Sequence, residues 1–134
     1  MENIVQIINS LPNLLTLKPA TTIQITDAEL QLRVRFADEY KEYLSAFGAI
    51  IADGIELTGL AKSEYRSVVA QTKKEWKLNA KIPHTMYVVE NTHVDGIIIW
   101  QDVKGEIYRS SYGSDAKQIA SSLTEYLFER KSNI

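Results

Sequence analysis

Apolar side chains at Ile4, Val5, Ile8 and Leu11 recur at helical spacing, and Pro12 stands where such a helix has to stop. Residues 14–25 contain Pro19 and a run of Thr and Ile, a composition that favours extended backbone. Thr26 and Glu29 then fit a capping box: the Thr hydroxyl can accept the amide three residues on while the Glu carboxylate reaches back, so a helix carrying Leu30 is expected there. Residues 33–36, with Val34 and Phe36, read as an extended link. The next helix opens near Ala37 with Asp38 and Glu39 in its first turn, where carboxylates complement the helix dipole. Tyr40, Tyr43, Leu44 and Phe47 lie at i, i+3, i+4 and i+7, one core-facing stripe, and Gly48 is the expected left-handed stop.

Residues 54–59 alternate apolar and polar between glycines, the pattern of a half-buried strand. A longer helix follows, with Ser63 as its candidate cap and Tyr65, Val68, Val69, Thr72 and Trp76 along one face; Pro83 limits it. Three strands over residues 86–90, 97–102 and 106–109 are joined by turns containing Asp95-Gly96 and Lys104-Gly105, which predicts an antiparallel meander. Ser114 is the expected cap of a last helix whose Ile119, Leu123, Tyr126 and Leu127 face inward, with Arg130 and Lys131 at its negative end. The order of elements predicts an α+β domain spanning residues 1–134: an antiparallel sheet of about four to six strands packed against several α-helices.

Composition changes this picture mainly by exclusion. With 134 residues, 45% of them apolar and 24% charged, the chain is sized for one core and falls outside the low-hydrophobicity regime of disorder. Fifteen basic against 17 acidic side chains give no field that would hold a nucleic acid or an acidic lipid surface. Cysteine is absent, which removes disulfides, thiolate metal sites and cysteine nucleophiles. Glu2, Asn9, Ser10 and Pro12 are unlike a secretory signal, and no run reaches the roughly 20 apolar residues of a membrane span, so a cytoplasmic address is expected.

The block at residues 28–60 resembles the SUKH (Smi/Knr-like) superfamily, in Asp38-Glu39-Tyr40, Tyr43-Leu44, Phe47-Gly48 and Gly59-Leu60. Further along, Ile82-Pro83, Asp95-Gly96 and Gly105-Glu106-Ile107-Tyr108 are also similar, and the likeness covers most of the chain. Arg33 and Ala37 depart from the family's usual glycine and proline. The resemblance implies a non-enzymatic, cofactor-free domain that grips another protein. In its bacterial members that partner is the toxic domain, often a nuclease, of a polymorphic toxin; in fungal relatives the fold is a regulatory scaffold for signalling or cell-wall-synthesis proteins.

His84 and His93 are the two histidines, and the strand expected between them would separate them by roughly 20 Å at about 3.3 Å per residue, so they read as loop histidines and not as a metal pair. Asp38, Glu39 and Glu42 read as a solvated helix face. Asp53 and Glu56, three apart on a strand, point to opposite faces and do not make an acid–base pair. Ser114 lacks the flanking glycines of a nucleophile elbow, and six scattered glycines form no phosphate loop. Lys73, Lys74, Lys77 and Lys81 around Trp76 read as the wet side of an amphipathic helix. An enzyme, such as a small hydrolase, would need a pocket with converging titratable groups. For partner binding the candidates are Asp53, Glu56, Glu90, Asp95 and Asp102, which would meet a basic cleft, and Trp100, either a core residue of a doubly buried strand or an exposed anchor. Whether the domain is a monomer or a homodimer is open at this level.

Overall fold

The computed structural model describes residues 2–132. Helix α1 (Ile4–Asn9) starts on a capping box between Asn3 and Gln6 and buries Ile4, Ile7 and Ile8. A short strand, β1 (Leu15–Thr16), leads to α2 (Thr22–Leu32). This helix begins four residues before the expected Thr26 start, on a Thr21–Gln24 capping box. Both pairs satisfy the motif, but the earlier start places Ile25, Ala28 and Leu32 on one buried face. Glu29 is thereby released to accept from the Phe36 amide at 2.8 Å and so to fasten the extended link.

Arg33 ends α2 with φ +55°, a left-handed conformation that glycine adopts without cost. Helix α3 (Asp38–Phe47) buries the expected stripe of Tyr40, Tyr43, Leu44 and Phe47 and stops at Gly48, φ +72°. Two of the three glycines of the family-like block, Gly48 and Gly59, are explained by close backbone approach. A Cβ at Gly48 would lie 2.2 Å from the Lys18 carbonyl oxygen, and one at Gly59 would lie 1.9 Å from that of Gly48.

Strands β2 (Ile50–Ala52) and β3 (Ile55–Leu57) form a hairpin that, with β1, makes a three-stranded antiparallel sheet in the order β1-β2-β3. Only β3 shows in the sequence pattern, since β2 is a three-residue apolar run directly behind the helix stop. Helix α4 (Val68–Leu78) is capped by Ser67 and not by Ser63, and Tyr65 is left exposed. The chain ahead of it is pinned by a short parallel bridge, with Gly59 N donating to Arg66 O and Val68 N to Gly59 O, which delays the helix.

The meander appears as expected: β4 (Tyr87–Asn91), β5 (Ile98–Gln101) and β6 (Ile107–Ser110). A fourth strand, β7 (Lys117–Ala120), replaces the first part of the expected last helix, giving a second antiparallel sheet in the order β4-β5-β6-β7. Ser114 closes the β6–β7 turn by accepting from Ser111 N, and Ile119 is exposed; helix α5 (Leu123–Ser132) keeps only Leu123, Tyr126 and Leu127 inside. The fold is thus α+β, with five helices and seven strands among the described residues, the strands divided between two sheets.

Thr58 joins the sheets. A bulge at Val89 turns its carbonyl outward to accept from Thr58 N at 2.9 Å, while the Thr58 hydroxyl donates to Val88 O at 2.8 Å. The Thr72 hydroxyl accepts from Val88 N, and the Trp76 indole donates to Met86 O, so α4 satisfies the remaining edge of β4. Strands β4 and β5 of the four-stranded sheet are buried on both faces. Ile99 and Ile107 join the main core with α1, α3 and α5, while Ile98 and Trp100 join a smaller one with Ile82, Met86 and Trp76.

An aromatic cluster of Phe36, Tyr40, Tyr43 and Tyr87 fills the main core, and its hydroxyls stay hydrogen bonded. Tyr43 donates to Thr58 O and accepts from Ile50 N, and Tyr87 donates to Gln101 and accepts from Ala37 N. Glu39 does not belong to a solvated face. Its carboxylate accepts from Gln101 Nε2, from the amides of Leu123 and Thr124 and from the Thr124 hydroxyl, capping α5 from a distant helix.

Candidate functional site

The antiparallel topology sends alternate turns to opposite ends of the body. At one end lie the β2–β3, β4–β5 and β6–β7 turns together with the last turn of α4. Three contacts tie them: Arg130 donates from Nη2 to Gly54 O, Asn79 donates to Ser114 O at 2.8 Å, and the Tyr112 ring covers Gly96 so closely that a Cβ there would lie 2.4 Å from it. The opposite end carries the β5–β6 turn.

The turn end has two clefts separated by residues 92–97. One, of about 260 Å³, is lined by Gly54, Glu56, Glu90, His93 and Arg130 among others. The other, of about 360 Å³, has Trp100 and Ile98 on its floor, with Glu75, Leu78 and Tyr112 on its walls. Leu78, Val94 and Tyr112, all large and apolar, are exposed at this end. At the opposite end a groove of about 740 Å³ is walled by Leu30, Arg33, Arg35, Lys41 and Val103.

The six sequence candidates part company here. Asp53, Glu56 and Asp95 all lie at the turn end; Asp53 and Asp95 are exposed and Glu56 half-buried. Asp53 holds Asn13 at 2.7 Å and leaves its outer face free. Glu90 lies at the same end but is only 2% exposed, so it is corrected from a partner contact to an internal ion pair. Its Oε1 accepts from Arg130 Nη1 and from the Tyr126 hydroxyl, both at 2.5 Å. Burial, then the Glu90 charge, push the Tyr126 hydroxyl well above its usual range; burial works against the Arg130 charge, but Glu90 and Tyr126 more than offset it.

Of the two alternatives left open for Trp100 the core one holds: it is fully buried, its indole donating to Ser110 Oγ at 2.9 Å, so it is a floor and not an anchor. A doubly buried strand leaves no face for it to present. Asp102 sits at the far end and shapes the β5–β6 turn, accepting from the amides of Lys104 and Glu106 and from Tyr108. Burial and that carboxylate push the Tyr108 hydroxyl up to about 12.

His84 stacks on Trp76 at 4.3 Å, at the start of β4, while His93 belongs to the turn beyond its end. Among the described residues no group of His, Asp and Glu is arranged to hold a metal ion. Lys73, Lys74, Lys77 and Lys81 are exposed around a half-buried Trp76, as an amphipathic helix requires. Glu75 was missed by the sequence reading. Its place among four lysines looks like a solvated position, yet it is only 9% exposed and burial raises its carboxyl above the usual range, partly offset by Lys74. Two residues of the β4–β5 turn, His93 (φ +58°) and Asp95 (φ +52°), are left-handed without being glycine. The turn is held by His93 N donating to Asn91 and by the Thr92 hydroxyl donating to Ile97 O.

Among the described residues no helix is long and apolar enough to cross a membrane. No curated protein matches the sequence. A family model described as SUKH_5, SMI1-KNR4 cell-wall, matches residues 1–130, in keeping with the two-glycine backbone contact and the meander built above. With nearly the whole sequence inside that match, the chain belongs to the SUKH_5, SMI1-KNR4 family.

Proposed function

We propose that this domain is an immunity protein that neutralises the toxic domain of a bacterial polymorphic toxin, a nuclease with a basic cleft, by stoichiometric occlusion in the cytoplasm. The observation that carries the reading is the turn end. Asp53 and Glu56 from the β2–β3 hairpin and Asp95 from the β4–β5 turn are gathered there, beside exposed Leu78, Val94 and Tyr112 and over two small clefts. An apolar centre with acidic surroundings suits a cationic protein surface, where charge complementarity raises the association rate and selects the partner. The strained β4–β5 turn supports the same end: each left-handed non-glycine residue costs about 1 kcal/mol, and such conformations persist where surrounding contacts and function hold them.

On this reading the domain performs no chemistry of its own. Family membership supports the binding role, and the buried tyrosine hydroxyls and the Glu90 carboxylate are hydrogen bonded in support of the fold. The test is co-expression with the toxin encoded beside the gene: growth should be rescued, and a one-to-one complex should co-purify. Reversing Asp53, Glu56 and Asp95 to lysine together should abolish rescue while leaving the fold intact. Failure of the unaltered chain to rescue growth against any neighbouring toxin would refute the reading.

A further inference from the structure

Glu75 is a carboxylate at the turn end that, among the described residues, is held by no hydrogen bond and meets only a long ion pair with Lys74. It sits on α4, only 9% exposed as a residue, and lines the cleft over Trp100, where its carboxylate oxygens keep access to solvent with Lys74 as the nearest charge. Lys74 approaches to 4.0 Å, beyond hydrogen-bond reach, and its own side chain is more than half exposed. Partial burial holds the Glu75 carboxyl above its usual range, a shift that Lys74 partly offsets. Other buried acids of this chain are matched: Glu90 has Arg130 and Tyr126, and Glu39 has four donors where it enters the structure.

The cleft around Glu75 has the shape of a receptor for one side chain. At about 360 Å³ it is at the small end of ligand sites, and no cationic residue lines it. Leu78, Ile98 and Trp100 supply apolar wall and floor, and Tyr112, 82% exposed, stands at the mouth with its ring across Gly96. Asn91 and Ser111 add polar groups at the rim.

We propose that this cleft receives an arginine side chain of the protein partner, its guanidinium paired with the Glu75 carboxylate and its stem against Leu78 and the Tyr112 ring. Arginine suits the site better than lysine because a planar guanidinium can form a two-pronged pair with a carboxylate and stack on an aromatic ring. A protein is favoured as the source because exposed Leu78, Val94 and Tyr112 surround the mouth and would be covered only by a surface of similar breadth. The inference rests on the reading that the chain works by gripping a protein, and it names the pocket that does so.

The probe is N-acetyl-arginine methylamide, titrated into the full chain while the Trp100 indole and Tyr112 ring signals are followed by NMR, with the uncharged citrulline counterpart as control. Saturable binding in the millimolar range is expected for the arginine compound, at least about ten-fold weaker for the citrulline one. Glu75→Gln should weaken the arginine compound by about ten-fold or more while its urea midpoint stays level or rises, since a desolvated charge has been removed. Tyr112→Ala should weaken it several-fold without loss of stability. Equal binding of the two compounds, unchanged binding by Glu75→Gln, or no saturable shift at all would overturn the proposal. Co-expression rescue reads the immunity role separately: rescue without arginine binding condemns the cleft alone, and arginine binding without rescue condemns the role alone.

Discussion

Alkaline pH should unfold this domain with unusual steepness, because four tyrosine hydroxyls, those of Tyr40, Tyr43, Tyr87 and Tyr126, are enclosed in the core and hydrogen bonded there. In each of the four, burial is the largest cause and raises the pKa well above the ordinary value of about 10. The folded state therefore keeps these protons at a pH where the unfolded chain releases them. Their contribution is whole below pH 10 and is lost as pH climbs from there toward the folded values. Each retained proton is worth about 1.4 kcal/mol per pH unit, so four give a slope of about 5 to 6 kcal/mol per unit above pH 10. A domain with about 5–15 kcal/mol of stability would then unfold between about pH 11 and 12.5. Urea melts at stepped pH, followed by circular dichroism, measure the slope, and tyrosinate absorbance should rise together with unfolding. Tyr43→Phe should lower the slope by about a quarter and, by orphaning Ile50 N and Thr58 O, should also cost about 1–3 kcal/mol near neutral pH. Ionisation of these tyrosines in the folded state near pH 10, or a slope no steeper than that of one group, would refute the argument.

Three substitutions probe other parts of the body. Arg130→Met leaves the Glu90 carboxylate buried with Tyr126 as its remaining hydroxyl partner and should cost about 3–5 kcal/mol in urea unfolding, with Glu90→Gln on top recovering part of the loss. Gly59→Ala forces a methyl to within 1.9 Å of the Gly48 carbonyl oxygen and should cost about 1–3 kcal/mol or more, visible as a lowered melting temperature. Arg33→Gly relieves a left-handed residue whose side chain is exposed, and should raise stability by about 0.5–1 kcal/mol in the same assay.

Where periodicity and burial coincide, the sequence was readable. The Tyr40-Tyr43-Leu44-Phe47 stripe and the meander follow directly from side-chain spacing and turn glycines, and both stand in the structure. Capping motifs misled because they are local and repeat: Thr26–Glu29, Ser63 and Ser114 each satisfy the rule, but Thr21–Gln24 and Ser67 are the caps that bury a better face, and Ser114 serves a turn. The stripe expected from Ile119 to Leu127 mixes an exposed strand residue with three helical ones, a coincidence of period that no local rule detects. The candidate site was legible as charge on turns, because Asp53 and Asp95 sit beside glycines. It was not legible in Glu90 and Glu75, whose roles depend on which partner reaches them across the fold: Arg130 for one, 40 residues away, and an open cleft for the other.

That contrast bears on how such a body can present a selective surface without endangering its own folding. The constraints concentrate around Thr58 and the neighbouring glycines, where a hydroxyl, three backbone groups and two tyrosines meet, and where a Cβ at Gly48 or Gly59 would collide with backbone. At the β2–β3 and β6–β7 turns the constraint is conformational and not steric: a Cβ at Gly54 or Gly113 meets nothing within 4 Å, Gly96 is crowded only by the Tyr112 ring, and the Asp53, Asp95 and Tyr112 side chains beside the turn glycines are exposed. Side chains there can change charge and shape at little cost to the core, typically within about 0.5 kcal/mol for exposed positions. Glu75 is the exception that joins the two regimes. It is anchored on a helix packed against β4, yet it spends its charge on a cleft that opens among the tolerant turns, which is where a rigid contact would fix the register of a partner whose surrounding contacts are free to vary.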